Sequence, residues 1–399
     1  MLLTQFFVLS VSFLFCFYSI RKTIYLSHKK HLFDEPSEDR KIHIHRTPNL
    51  GGAALFAAAF FTTALFISGH PINNLNFIFC AAVIIFLIGL TDDLVGMNPS
   101  KKLFGQLAAV MILTIPGEIR ITNFYGFLGL QEMNSMVSII ISILFCLLLI
   151  NAINLIDGIN FLAGSISLFS ILAFSFIFWK TNQFGLMIIS LSVTGSLVSF
   201  LIFNRTPARI FLGDSGSLFL GFIIAFFSIQ FLQPNTHSAV QVFTVLTPNS
   251  SPAFLVAMLI VPIFDTLRVF YLRVIQKKSP FSADRNHIHH LLIDLNLSHL
   301  QATVILLAIT FFCMIMVLLM HSLRMEILFL VLTAFVVSLY KLLMLYIRKI
   351  NIGRYNKRSS IRKNSSPFPP KGVNTKLVIV SGNKSIYPGN RKQIEVVTE

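Results

Sequence analysis

Three long apolar blocks follow one another in the middle of the chain: SMVSIIISILFCLLLIN (135–151), NFLAGSISLFSILAFSFIF (160–178) and FGLMIISLSVTGSLVSFLIF (184–203). None contains a charged residue, and each approaches or reaches the roughly 20 residues that a helix needs to cross a membrane. Over the whole chain 55% of residues are hydrophobic and 12% are charged, about half the charged fraction of a water-soluble domain. The sequence therefore predicts an integral membrane protein.

The predicted fold is an all-α, polytopic bundle of about eleven transmembrane helices. They cover residues 3–20, 51–68, 75–90, 103–116, 135–151, 160–178, 184–203, 216–233, 252–271, 301–320 and 325–347. We expect the N-terminus outside and the C-terminus in the cytoplasm, because basic residues concentrate on the cytoplasmic side of membrane proteins. Of the 32 Lys and Arg, only Arg120, Lys180 and Arg324 fall in predicted outer segments, which leaves 29 inside.

The ends of the chain differ in composition from its centre. We predict an integral membrane domain over residues 1–349 and a basic, flexible cytoplasmic tail over 350–399. The net charge of +16 lies mainly in loops and tail, so it favours contact with anionic lipid over nucleic acid. The four cysteines each lie inside an apolar block, which disfavours disulfides and a zinc site.

A pair of acids ends one apolar block, in TDDL (91–94), and Lys102 follows shortly after. Acids near the membrane boundary are costly unless they are paired or bind a cation. Adjacent carboxylates beside a lysine could therefore hold a cation and phosphates. The plainer alternative is a hydrated loop with a helix-capping Asp.

Two further polar motifs follow on the same predicted side. Asn and Asp recur every third residue in NAINLIDGIN (151–160), which predicts a polar ladder at a helix end. The motif FLGDSGS (211–217) places Asp214 between two glycines, where backbone can approach a ligand closely. Asn and Asp oxygens are ligands that Mg²⁺ prefers. A helix-packing seam and an ordinary capped loop are the respective alternatives.

Two loops carry cations on the same predicted side. The motif RNHIHH (285–290) brings three histidines close together, but the nearby acids favour an oxygen site over zinc. Histidines of this kind can donate hydrogen bonds to phosphate, although a solvated loop remains the alternative. The basic segment RKIHIHR (40–46) could hold lipid headgroups or a phosphorylated substrate. Together the motifs predict a membrane-facing site for phosphorylated substrates, at least one of them lipid-borne.

Six motifs in order resemble the polyprenyl-phosphate N-acetylhexosamine-1-phosphate transferase family (glycosyltransferase family 4), in its WecA/TagO-like branch. They are RKIHIHRTPNLGG (40–52), TDDL with KLFGQ (91–94, 102–106), NAINLIDGIN (151–160), FLGDSGSLFLG (211–221), PIFDTLRV (262–269) and SPFSADRNHIHHLL (279–292). The resemblance implies transfer of a sugar 1-phosphate, most simply from UDP-GlcNAc, to undecaprenyl phosphate with release of UMP. It also implies Mg²⁺, with Mn²⁺ as a substitute.

The resemblance further implies roles for individual residues. The catalytic candidates are Asp92, Asp93 and Asp157, and the metal-ligand candidates are Asn154 and Asp214. The substrate-binding candidates are Lys102, Asn151, Asn160, Arg285, His287, His289 and His290. The chain departs from the family pattern DG-x-D-G at two places, where Asn160 and Phe161 replace the second Asp and Gly.

The expected setting is the cytoplasmic (inner) membrane, with the active site on the cytoplasmic face and a homodimer left open. The expected partners are undecaprenyl phosphate, a UDP-N-acetylhexosamine and membrane lipid. Three alternatives stay open: an MraY-type enzyme that takes a pentapeptide-bearing donor, an inactive relative, and a polytopic transporter. The transporter is disfavoured because the acids lie at one edge of the predicted membrane and the block centres are apolar.

Overall fold

The computed structural model describes residues 2–30, 47–70, 72–233, 248–277 and 286–364, with side chains described as far as residue 350. These residues form thirteen α-helices and no strand. In chain order, α1 to α13 are Leu2–Lys30, Gly51–Phe66, Leu75–Val95, Pro99–Thr114, Ser135–Leu155, Leu162–Lys180, Phe184–Asn204, Gly213–Phe231, Ser251–Met258, Ile260–Ile275, Ile288–Asp294, His299–Leu319 and Met325–Asn364. The predicted all-helical membrane fold is confirmed.

The number of membrane crossings depends on the length and hydrophobicity of the individual helices. Eight of the described helices are long and apolar enough to span a membrane, and the pair α9 and α10, bent by 76°, would make a ninth. Helices α2 and α4 have only 16 residues each, which gives a length of about 24 Å. The count of eleven crossings and the orientation of the termini stay predictions.

Helix boundaries differ from the predicted ones where they matter for the polar motifs. Helix α3 continues to Val95, α4 begins at Pro99, and α8 begins at Gly213 rather than at residue 216. The predicted loops therefore shrink to tight connections. As a result, the polar residues of these motifs lie in the end turns of helices, whose backbone fixes their direction.

The connection between α3 and α4 illustrates how local sequence sets these boundaries. Gly96 ends α3 with a φ of 78°, a conformation that glycine adopts without strain. The Asn98 side chain then accepts a hydrogen bond from the backbone N–H of Ser100 at 3.1 Å, and Pro99 occupies the first turn of α4. This short connection places Lys102, at the start of α4, beside the end of α3.

Helices α7 and α8 form the centre of the bundle. In each helix, 89% of the most apolar stretch of 18 residues is buried inside the protein. Helix α8 packs against α2, α3, α5 and α6, and α7 packs against α1, α2 and α6. The first turn of α8 is held closely by glycines: a Cβ on Gly52 would lie 2.0 Å from the Gly216 nitrogen, and one on Gly89 would lie 2.5 Å from Ser215 Cα.

The chain divides into two compact units, Met1–Val337 and Ser338–Glu399. All described residues of the predicted site belong to the first unit. Helix α13 continues to Asn364, so helix extends beyond the predicted boundary at residue 349. The predicted tail from residue 365 onward lies outside the described residues, and its division from the membrane domain stays a prediction.

Candidate functional site

Two carboxylates and a lysine from three helices meet at one point. Lys102 Nζ lies 2.8 Å from Asp92 Oδ2 and 2.6 Å from Asp214 Oδ2. Asp92 comes from the last turn of α3, Lys102 from the first turns of α4, and Asp214 from the first turn of α8. The side chains of Lys102 and Asp92 are each 14% exposed, so the charges lie close together at a largely shielded place.

Asn154 completes this cluster from the end of α5. Its side-chain nitrogen donates hydrogen bonds to Asp214 Oδ1 and, at 2.9 Å, to Ser217 Oγ. Rotation of the amide by 180° would present its oxygen to Asp214 instead. The two carboxylates and this amide are therefore oxygen donors of the kind that Mg²⁺ accepts, and Mg²⁺ commonly needs only one or two carboxylates plus substrate phosphates. The side chains present thus fit the cation.

Asp93, next to Asp92, faces a different part of the structure. Its Oδ1 accepts a hydrogen bond from the Asp214 backbone N–H at 2.7 Å, and its Oδ2 accepts one from the Ser215 N–H at 2.9 Å. Free N–H groups at a helix N-terminus favour a carboxylate. Asp93 therefore joins the end of α3 to the start of α8 and positions Asp214. These contacts support a positioning role, and its predicted catalytic role stays a prediction.

The predicted Asn and Asp ladder does not lie along one side of a helix. A spacing of three residues drifts by about 60° per step around an α-helix, and α5 ends at Leu155. Asn154 reaches the cluster, but the Asn151 side-chain nitrogen donates to Gln106 Oε1 and to the Leu147 carbonyl, each at 2.8 Å. Asn151 thus ties α5 to α4, and its predicted substrate contact stays a prediction.

The other two members of the ladder lie in the turn between α5 and α6. Burial raises the pKa of Asp157 well above its usual range, and the negative charges of Asp214 and Asp93 raise it further. Asn160 is only 6% exposed, and its backbone N–H donates to His299 Nδ1 at 3.3 Å. Asp157 therefore lies close enough to Asp214 and Asp93 for their charges to act on it, whereas Asn160 is packed inside the protein.

Phe161 occupies a backbone conformation that explains the glycine of the family pattern. Its φ is +76°, a left-handed region that costs most side chains about 1 kcal/mol or more. Asn204 Oδ1 accepts a hydrogen bond from the Phe161 N–H at 2.7 Å. The chain thus keeps at Phe161 the backbone path that a glycine would adopt freely.

A second polar cluster holds residues 286–290, the described part of the histidine loop, against α10. Asp265 on α10 accepts hydrogen bonds from Arg268 at 2.7 Å and from the Ile288 backbone N–H at 3.0 Å, and it lies 2.9 Å from His287 Nδ1. Arg268 also donates to the Asn286 carbonyl. Sequence reasoning omitted Asp265 and Arg268 from the site, although the motif PIFDTLRV carries this acid and base three residues apart.

His289 connects the histidine loop to the turn after α5. It is 1% exposed, and a Cβ on Gly158 would lie 2.3 Å from His289 Nε2. Its ring lies against those of His287 and His290, with centroid distances of 5.6 Å and 4.3 Å. Burial lowers the pKa of His289 to about 3, and the charge of His290 adds to this effect. The imidazole is therefore neutral at pH 7.

The structure thus brings most of the predicted residues into two adjoining groups. Asp92, Lys102, Asn154 and Asp214 form the carboxylate cluster, and Asp157 with Gly158 leads from it to the histidines. Arg285 and the basic segment at residues 40–46 lie outside the described residues. The arrangement suits two phosphate-bearing substrates, because a cation, an ammonium and imidazoles can neutralise developing negative charge.

Comparison with known proteins agrees with this chemistry. Residues 75–232 match the model of glycosyl transferase family 4. The chain is 30% identical over 281 residues to the "probable undecaprenyl-phosphate N-acetylglucosaminyl 1-phosphate transferase" of Bacillus subtilis, covering 70% of this chain and 74% of that protein. It is also 29% identical over 289 residues to the decaprenyl-phosphate N-acetylglucosaminephosphotransferase of Mycolicibacterium smegmatis, covering 67% and 70%.

A third relative is the undecaprenyl-phosphate alpha-N-acetylglucosaminyl 1-phosphate transferase of Escherichia coli K12. The identity is 27% over 280 residues, which cover 69% of this chain and 72% of the relative. Residues 75–232, which match the family model, contain the carboxylate cluster and the turn after α5, and the alignments cover 70% to 74% of these three relatives. The protein belongs to glycosyl transferase family 4.

Proposed function

We propose that this protein transfers N-acetylglucosamine 1-phosphate from UDP-N-acetylglucosamine to undecaprenyl phosphate, releasing UMP. The product is a lipid-linked pyrophosphoryl sugar that starts the synthesis of a cell-envelope glycan. The observation that carries the proposal is the meeting of Asp92, Lys102 and Asp214 at one point, with Asn154 on the second oxygen of Asp214. The names of the relatives support the same reaction.

The reaction needs positioning and charge neutralisation more than a strong base. A phosphate monoester is largely ionised at pH 7, so an oxygen of undecaprenyl phosphate can attack the sugar-bearing β-phosphorus of the donor directly. The new P–O bond joins the lipid phosphate to the sugar phosphate. The bond to the bridging oxygen breaks, and UMP leaves with that oxygen and its electron pair.

Each residue of the carboxylate cluster has its own proposed role in this reaction. Asp214, Asn154 and Asp92 would hold a divalent cation, and bound Mg²⁺, or Mn²⁺ in its place, supplies charge neutralisation at the diphosphate. Lys102 adds a mobile positive charge for phosphate oxygens. Asp93 keeps Asp214 in place by accepting the first N–H groups of α8.

The histidine loop is assigned to the donor side of the site. Asp265 lies beside His287 Nδ1, which fixes the ring and leaves Nε2 for a ligand. His289 stays neutral and packs on Gly158, so the loop is held against the turn that contains Asp157. Arg285, His287, His289 and His290 would together recognise the diphosphate and sugar of the donor.

We assign the site to the cytoplasmic face of the inner membrane, with eleven crossings, the N-terminus outside and the C-terminus inside. The support is the position of 29 of the 32 basic residues on the same predicted side as the site. The donor class agrees, because UDP-sugars are cytoplasmic. A homodimer stays a prediction.

One reconstitution tests the proposal. Purified protein in detergent receives undecaprenyl phosphate, Mg²⁺ and labelled UDP-GlcNAc, with UDP-GalNAc and UDP-MurNAc-pentapeptide in parallel reactions. We expect labelled lipid product and equimolar UMP from UDP-GlcNAc, abolished by Asp214→Ala and retained by Glu132→Ala, an acid in a predicted outer segment. Turnover only with the pentapeptide donor would support the MraY-type alternative. No product from any donor would refute the enzyme assignment.

A further inference from the structure

We propose that the Lys102 ammonium and the divalent cation compete for the same two carboxylates, so that cation binding releases Lys102 to the phosphates of the substrates. The inference rests on the proposed function and adds a coupling between two of its components. The Lys102 side chain would then have two positions: it contacts Asp92 and Asp214 in one, and a substrate phosphate in the other.

The first argument is geometric. The ammonium contacts Oδ2 of Asp92 at 2.8 Å and Oδ2 of Asp214 at 2.6 Å, and it is the only cation that contacts either group within the described residues. A divalent cation held by Asp92 and Asp214 would need carboxylate oxygens from the same two side chains. Two positive charges at the same pair of oxygens would repel strongly at this largely shielded place, so one must leave.

The other oxygen of each carboxylate is already engaged. Asp92 Oδ1 accepts the Met97 backbone N–H at 2.6 Å, and Asp214 Oδ1 faces the side-chain amide of Asn154, the third candidate ligand. Their backbone positions are fixed too, because Gly89 packs directly on the first turn of α8. The two Oδ2 atoms are therefore held in place for a positive partner, whichever cation that is.

The Lys102 ammonium can move away from this position, whereas the two carboxylates are held by their other contacts. The ammonium is carried on a flexible four-carbon stem at the end of the first turn of α4, next to the exposed Lys101. Rotation about the stem can move the charge by several ångströms without moving the helix. Released in this way, the ammonium arrives beside the diphosphate only when the cation is bound, which makes cation and donor binding mutually reinforcing.

The experiment measures cation binding and lysine exposure, neither of which requires turnover. Mn²⁺ binding to the purified protein is followed by electron paramagnetic resonance without substrates, in the wild type, Lys102→Met and the neighbouring control Lys101→Met. We expect the Kd for Mn²⁺ to fall by about 10-fold in Lys102→Met, since a charge-assisted competitor is removed, and to stay within about twofold in Lys101→Met.

A second readout uses the unmodified wild-type protein. Pulse labelling with an amine-reactive reagent, followed by mass spectrometry, reports the reactivity of Lys102 relative to Lys101. We expect Mg²⁺ to raise the relative reactivity of Lys102. An unchanged or weaker Mn²⁺ affinity in Lys102→Met, or a Lys102 reactivity that Mg²⁺ leaves constant, would overturn the inference. Absence of transfer activity in the wild-type protein, with both binding results as expected, would instead count against the proposed function alone.

Discussion

Gly213 offers a sharp test of how the carboxylate cluster is held. It precedes Asp214 and has a φ of +71°. A Cβ at this position would lie 2.2 Å from the Asn49 carbonyl oxygen and 2.7 Å from both carboxylate oxygens of Asp93. Gly213→Ala therefore introduces both backbone strain and a steric clash directly beside the metal-ligand candidate.

The two effects have different magnitudes and can be separated. The left-handed conformation costs an alanine about 1 to 2 kcal/mol of folding free energy. Relief of the clash requires a separation near 3.5 Å, so the first turn of α8 or its neighbours must shift by about 1 Å. A displacement of about 1 Å at a reacting centre lowers turnover by roughly 100-fold.

Gly69→Ala is the matched control, because Gly69 has a φ of +82° and a Cβ there would have no neighbour within 4 Å. Both variants are purified, and their melting temperatures and rates of UMP release are compared. We expect Gly69→Ala to lose stability only, and Gly213→Ala to lose stability and about 100-fold in rate. Equal rates in the two variants would refute the view that close packing around Gly213 positions Asp214.

Three further substitutions test individual side chains. Asp93→Asn keeps an acceptor but loses the charge, so we expect UMP release to fall by about 10- to 100-fold; a complete loss would contradict the positioning role. Asp265→Asn removes the charge beside Arg268, so we expect about 3 kcal/mol of stability to be lost and the KM for the UDP-sugar to rise; an unchanged melting curve would contradict this. Asn160→Asp restores the family residue, and we expect activity within about 10-fold of wild type; inactivity would mean that position 160 works differently in this chain.

The carboxylate cluster could be predicted from sequence because each member follows or precedes an apolar block. The predicted helices placed Asp92, Lys102, Asn154 and Asp214 on one predicted side of the membrane, and family resemblance indicated their roles. The structure adds that all four come from end turns of helices. This gives them fixed directions that a loop would not give.

The separate roles of Asp92 and Asp93 could not be read from sequence. Adjacent residues on a helix point about 100° apart, so only one of them faces Lys102. Which one does depends on the rotation of α3 about its axis. That helix is apolar around most of its circumference, so no hydrophobic stripe indicates its rotation.

Asp265 was missed for a different reason. Its partners His287 and Ile288 are more than twenty residues away in sequence, and the 76° bend between α9 and α10 determines the direction of α10. Neither the bend nor the contact has a local signal in the apolar run that precedes Asp265. The ladder at residues 151–160 failed for a geometric reason, since a period of three does not match a helix.

The glycine contacts around the first turn of α8 bear on how this protein could be inhibited. Gly52 and Gly89 touch that turn through backbone atoms, so no larger side chain can be introduced there without moving Asp214. A compound that binds Asp92, Lys102 and Asp214 would lie beside this turn, and a substitution at Gly52 or Gly89 that hindered it would also displace Asp214. Resistance to such a compound is therefore not expected from substitutions at these two glycines.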